Sequence, residues 1–177
     1  LTPGVFMPKK IQNVKQLLLN EAKRQIACCG YAATTIRSVA DGCNVAVGTV
    51  YNYFPSKEML IASFVAEDWK KSMDAAAGEM PEEPEKILRS VYDLLRNFSE
   101  QHRTLFSDKD AEKTFFAVFP HRHKQLRNQI AALLLPACGE SCDAFLPSFL
   151  AEALLTWTAE GVAFETLFPI LQSILAK

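Results

Sequence analysis

Between Gly30 and Pro55 the chain has room for two short helices and one tight turn, and for little else. Thr34 and Thr35 offer hydroxyl N-caps ahead of a helix over about 36–43, with Val39 and Ala40 facing inward. Asn44 follows, a residue that tolerates left-handed backbone and suits a short turn. A second short helix over about 47–54 is closed by Pro55, which has no N–H with which to continue it. Two short helices across such a turn make a helix-turn-helix unit, whose second helix lies in the major groove of DNA.

The flanks supply the rest of a helical domain. From Lys9 to Cys29, Ile11, Val14, Leu18, Ala22 and Ile26 recur at steps of three and four, the apolar stripe of an amphipathic helix, and Gly30 stops it. Ser56 caps a fourth helix that runs on through Lys57, Glu58, Met59 and Leu60, with Leu60, Phe64 and Trp69 turned inward. A Pro- and acid-rich break at 80–84 precedes a helix over about 85–101. Further helices are expected near 104–118, 122–135, 143–160 and 164–176, with breaks at Pro120, Pro136, Gly139 and Gly161. No stretch reads as a strand, so the expected fold is all-α. Residues 1–6, ahead of Met7, show no periodicity, and 1–8 reads as a disordered or vector-derived N-terminus.

Composition narrows the class. Of 177 residues 49% are hydrophobic, enough for a real core. No apolar run reaches the roughly 18 residues of a membrane span, so no membrane partner is expected. Five scattered cysteines argue against a disulfide framework and fit a cytoplasmic setting. The net charge of −1 hides an asymmetry: residues 1–72 carry nine basic and five acidic side chains, the remainder ten and fifteen. A basic first part suggests a polyanion partner.

Two runs, 30–40 (Gly-Tyr-Ala-Ala-Thr-Thr-Ile-Arg-Ser-Val-Ala) and 45–60 with its pattern G-T-x-Y-x-x-F-x-S-K-E-x-L, resemble the TetR family of transcriptional regulators. The resemblance covers about residues 10–65 and departs from the family at Tyr53, where many members carry His; a tyrosine can also donate to phosphate. It implies a DNA-binding domain over 9–55, a connecting helix over 56–78 and an effector-binding and dimerisation domain over 79–177. It implies a repressor that acts as a homodimer on a double-stranded DNA operator and is released by a small-molecule effector. A helical ligand-binding or scaffold protein without DNA-binding activity is the alternative.

The DNA contacts expected are Thr35, Arg37, Val47, Gly48, Thr49, Tyr51, Asn52, Tyr53 and Lys57. Thr35 caps a helix whose N-terminus attracts phosphate, and Arg37 reaches phosphate or guanine. Val47, Gly48 and Thr49 open the recognition helix, where base edges are met. Gly48 admits close approach, and the methyls of Val47 and Thr49 suit thymine. Tyr51, Asn52 and Tyr53 form a polar aromatic strip. Lys57 sits at a helix N-terminus, unfavourably for a cation; a phosphate held there would remove the mismatch.

The second half is rich in Phe, which fills a core or lines a pocket between helices. Phe98, Phe115, Phe119 and Trp157 are the candidate effector contacts. The last two helices show more apolar surface than one core needs, and Phe149, Ala153, Trp157, Leu167, Leu171 and Ile174 are the candidate dimer face. Cys138, Cys142, His121 and His123 have the chemistry of a zinc set but not the spacing of a finger, so no metal and no cofactor is expected. No nucleophile elbow, phosphate loop or zinc-protease motif is present, so no enzyme is expected.

Overall fold

The computed structural model describes residues 13–111, 122–139 and 142–175. Among them every regular element is a helix: α1 Val14–Ala33, α2 Ile36–Gly42, α3 Val47–Tyr53, α4 Lys57–Gly78, α5 Pro84–Gln101, α6 Arg103–Phe106, α7 Arg122–Cys138, α8 Leu146–Ala159 and α9 Phe164–Leu175. The chain divides into two compact units, one ending at Phe64 and the other beginning at Val65, so the division falls inside α4.

In the first unit α1 buries Leu18, Leu19, Ala22 and Ile26, α2 buries Ile36, Val39 and Ala40, and α3 buries Val50. The stripe at 18, 22 and 26 therefore faces inward; Ile11 lies outside the described residues. The helix starts at Val14, where the Asn13 side chain accepts the Gln16 N–H at 3.4 Å. Gly30 breaks it with φ 81° and ψ 175°, backbone open only to glycine. The Thr34 hydroxyl turns inward and donates to the Gly30 carbonyl at 2.8 Å, leaving Thr35 as the cap of α2. Asn44, at φ 54°, takes the left-handed turn conformation expected of it.

In the second unit Ile87, Leu88 and Val91 of α5 pack with Ile130 and Leu134 of α7, Leu150 and Leu154 of α8, and Phe164, Leu167 and Leu171 of α9. Three boundaries differ from expectation. The helix expected over 104–118 is interrupted: α6 ends at Phe106, and the Asp108 carboxylate then accepts the N–H groups of Asp110 and Ala111 at 3.0 Å. A short acidic side chain that can cap a new turn competes with continuing the old one. Pro136 does not end α7; the helix runs to Cys138 and closes at Gly139, whose φ of 76° is that of a helix-terminating glycine. α8 begins at Leu146 rather than 143, with Pro147 in its first turn, where a missing N–H costs nothing.

Candidate nucleic-acid interface

The two helices of the turn are held from behind by polar groups as well as by the core. Thr35 and Ser38 form a capping box, the Thr35 hydroxyl accepting the Ser38 N–H at 3.0 Å and the Ser38 hydroxyl accepting the Thr35 N–H at 2.9 Å. Ser38 is itself held by Gln25 of α1, its hydroxyl donating to Oε1 at 2.6 Å and its carbonyl accepting from Nε2 at 2.9 Å. Gln25 is only 8% exposed. Its amide also donates at 2.8 Å to Glu21, which takes two further hydrogen bonds from Arg24 at 2.7 and 2.9 Å. A β-carbon at Gly42 would collide with that same carboxylate, so the end of α2 rests directly on it. Arg24, Glu21, Gln25, Ser38 and Thr35 thus form one chain of contacts that fixes α2 against α1. Sequence reasoning missed Gln25; the available signal was its position three residues past Ala22, on the buried stripe.

Arg24 holds the Glu21 carboxyl down at about 2 from 4.5, with help from Gln25 and against the upward push of burial. A depressed carboxylate contributes stability that is complete above pH 4.5 and is lost as pH falls towards 2. Glu21→Gln is expected to flatten that acid limb. Urea midpoints at pH 5 and pH 2.5 check it: the parent should lose more stability between them than the variant does.

α3 presents the outward surface. With Val50 fully buried and successive residues turning by about 100°, Gly48 and Asn52 fall opposite the core. Thr49 and Tyr51 flank them, and Val47 and Tyr53 lie nearer the domain. Gly48, Tyr51 and Asn52 are exposed in keeping with this, Val47 and Thr49 are half-buried, and Tyr53 at the helix end is exposed despite its turn towards the domain. Beyond its own helix backbone and chain neighbours, no atom lies within 4 Å of where a β-carbon on Gly48 would stand. Arg37 is exposed on α2. The structure thus places Thr35, Arg37, Gly48, Tyr51, Asn52 and Tyr53 at the surface of one small unit.

Lys57 differs from the expectation built on its helix position. Its ammonium donates to the Tyr31 carbonyl and sits over the Tyr31 ring, 3.6 Å from the centroid. The Tyr31 hydroxyl in turn donates to Glu58 at 3.3 Å. The end of α1 therefore supplies the negative partner a cation needs at a helix N-terminus, without a phosphate. Lys57→Ala should lower thermal stability by about 0.5–1 kcal/mol, the worth of a partly exposed cation–π contact; an unchanged melting temperature would show that the contact is idle.

The second unit gathers the candidate dimer residues. Phe149, Ala153, Trp157, Leu167, Leu171 and Ile174 all line one apolar groove of about 130 Å³ between α8 and α9, together with Leu154 and Ile170. Two of them are corrected in role: Leu167 and Leu171 are 8% and 4% exposed and belong to the subunit's own core, because they point between α8 and α9. Ile170, 60% exposed, is a large apolar side chain of α9 that faces outward. Of the effector candidates, Trp157 lies on this groove, whereas Phe98 packs edge-on against Trp69 at 5.0 Å and beside His102 at 4.7 Å. Phe115 and Phe119 lie outside the described residues. Cys43 is buried, and Cys28 and Cys29 are exposed on α1. His123 pairs with Glu152 at 2.8 Å, and burial, with Cys142 beside it, pushes the Cys138 thiol up to about 11. His121 lies outside the described residues.

A helix-turn-helix unit with an open, uncharged second helix is the geometry to compare with known proteins. Residues 18–64 match the bacterial regulatory proteins of the tetR family. It is 47% identical over 57 residues to the HTH-type transcriptional repressor KstR of Mycobacterium tuberculosis, covering 29% of this chain and 26% of that one. It is 32% identical over 92 residues to the HTH-type transcriptional regulator YhgD of Bacillus subtilis, covering 50% and 48%. The chain thus spans about a quarter to a half of the length of these relatives. The fold extends further: Salmonella enterica GusR superposes with a TM-score of 0.63 at 19% identity, over 92% of this chain and 95% of that one. No described helix is long and apolar enough to cross a membrane.

Proposed function

We propose that the chain is a sequence-specific DNA-binding transcriptional regulator, a cytoplasmic, non-enzymatic repressor that binds its double-stranded operator as a homodimer. The observation that carries this is the outward face of α3, Gly48 with Asn52, held on a cored unit whose capping box fixes α2. The sign of regulation follows KstR, a repressor by name. Thr35, Tyr51 and Tyr53 are the backbone-facing contacts, Arg37 reaches a phosphate or a guanine, and Val47, Gly48, Thr49 and Asn52 meet the bases. An ammonium carries three N–H donors, so the Lys57–Tyr31 contact is compatible with a phosphate beside it. The exposed apolar side chains of α8 and α9 support the dimer. The aromatic side chains of the second unit support an apolar effector that lowers DNA affinity.

Gel-shift titration of the full chain against genomic fragments tests the reading. One fragment class should shift in preference to bulk DNA, and Arg37→Ala should lower the salt slope of binding by about 1 if it holds a phosphate. Binding no better than to bulk DNA would leave the helical ligand-binding or scaffold protein standing. An apolar effector should raise the melting temperature by mass action and release the fragment.

A further inference from the structure

The side chains of α3 limit which bases it can read. α3 reads Val-Gly-Thr-Val-Tyr-Asn-Tyr, with no Arg or Lys and no Asp or Glu. Guanine is read in the major groove by Arg or Lys on O6 and N7, and cytosine by a carboxylate accepting from N4. α3 has neither. It does have the partners of the other pair. Asn reads adenine bidentately through N6 and N7, and methyl groups pack on the thymine C5-methyl. Asn52 stands at the centre of the outward face, one turn beyond Gly48, whose open space brings the helix axis close to the base edges. Val47 and Thr49 place their methyls at the N-terminal end, which enters the groove first. α2, Ile36–Gly42, contributes a single guanidinium, Arg37, and this is exposed.

We infer that each operator half-site has an A·T core, an adenine opposite Asn52 with thymines against Val47 and Thr49, and at most one guanine read by a guanidinium of α2 or α3, the one facing Arg37. The inference rests on the DNA-binding reading above and specifies the duplex it takes. Specificity here comes from what the helix lacks as much as from what it carries. A G·C pair at the core would leave its N4 donor or O6 acceptor without a charged partner, close to apolar methyls. Buried polar groups left unpaired are costly, and that cost discriminates.

The test is selection of duplexes from a random pool by the full-length chain. Titrations then follow in which each core thymine of the selected duplex is replaced by deoxyuridine. Deoxyuridine pairs identically but lacks the C5-methyl, so the protein and its folding are untouched. The selected half-site should be A·T in its core, and each deoxyuridine opposite Val47 or Thr49 should weaken binding about fourfold, the worth of one buried methyl. Asn52→Ala, a change at an exposed position, should weaken binding roughly 5- to 100-fold and flatten the preference for adenine at one base pair only. Arg37→Ala should relax the single guanine and leave the core unchanged. A G·C core, or indifference to deoxyuridine at every core position, overturns the inference while leaving a DNA-binding protein. Failure to enrich any sequence overturns the DNA-binding reading and this inference with it.

Discussion

Gly48→Leu is expected to melt no earlier than the parent and to bind the operator at least a hundredfold more weakly. The two effects have opposite signs because they come from opposite sides of α3. Within the protein, Gly48 is a first-turn glycine of α3 with no neighbouring element near its missing side chain. A glycine in a helix interior is a loss of about 1 kcal/mol relative to a good helix former, and Leu in the first turn recovers part of that. On the outward side, Gly48 stands about 160° from the buried Val50 by helix geometry, pointing at the base edges if α3 lies in the groove. Four added carbons there must push the helix away from the bases. Each bidentate base contact is worth about 1–3 kcal/mol of discrimination, and a displaced helix forfeits several together while distant phosphate contacts survive. Binding should therefore fall to the non-specific level, which lies at least 10³-fold below specific binding in typical regulators. A thermal melt and an anisotropy titration on the selected duplex check both signs in one protein. A variant that is more stable and binds as tightly as the parent would show that this face does not enter the groove. A variant that unfolds would show that the space beside Gly48 is not open.

That glycine also shows what was legible in the sequence and what was not. The local rules were enough for the first unit, because each of its elements is short and punctuated by a residue with one strong backbone preference. Gly30 takes a conformation closed to other residues, Asn44 accepts the left-handed turn, Thr35 caps α2, and Pro55 follows α3. The outward turn of Tyr51 and Asn52 followed from placing Val50 inside. Gln25 was not legible, because a polar residue on an apolar stripe reads as a surface residue until its partner is known, and Ser38 is thirteen residues away. The partner of Lys57 within the protein was not legible for a related reason. The dipole rule correctly says that a cation at a helix start needs a negative partner, but it cannot say that the partner is the carbonyl and ring of Tyr31, 26 residues upstream. In the second unit, the sequence placed helices near 85–101, 122–135, 143–160 and 164–176, and the structure has them at 84–101, 122–138, 146–159 and 164–175. Periodicity could not divide α9 between core and outer face. Leu167, Ile170, Leu171 and Ile174 share one broad stripe in sequence, and only the packing of the other helices of the unit decides that Leu171 is covered and Ile170 is not.

That distinction chooses the variant that breaks the dimer. A charge at Leu171, the obvious choice from sequence, would be placed at a position 4% exposed and would unfold the subunit, because an unpaired buried charge costs more than a domain can spare. Ile170 and Trp157, 60% and 45% exposed, stand on the outer rim of the same groove, so a carboxylate there meets water in the isolated subunit and an apolar wall only in the dimer. In a two-fold contact the substitution also appears twice, so that each dimer must bury two charges across the axis. Ile170→Glu with Trp157→Glu is therefore expected to leave helical content intact and to convert a dimer into a monomer in sedimentation at micromolar concentration. The consequence for DNA is larger than for folding. A dimer places its second reading head at an effective concentration that raises overall affinity by about 10²–10⁴ over one head, and a monomer forfeits all of it. Operator binding should fall by that factor although both substitutions lie in the second unit and neither residue is in α2 or α3. Two half-sites joined in one duplex should then bind no tighter than one. A double variant that remains dimeric and binds normally would place the interface on another face. A parent chain that sediments as a monomer would remove the dimer altogether, and with it the reason for the exposed apolar rim of α8 and α9.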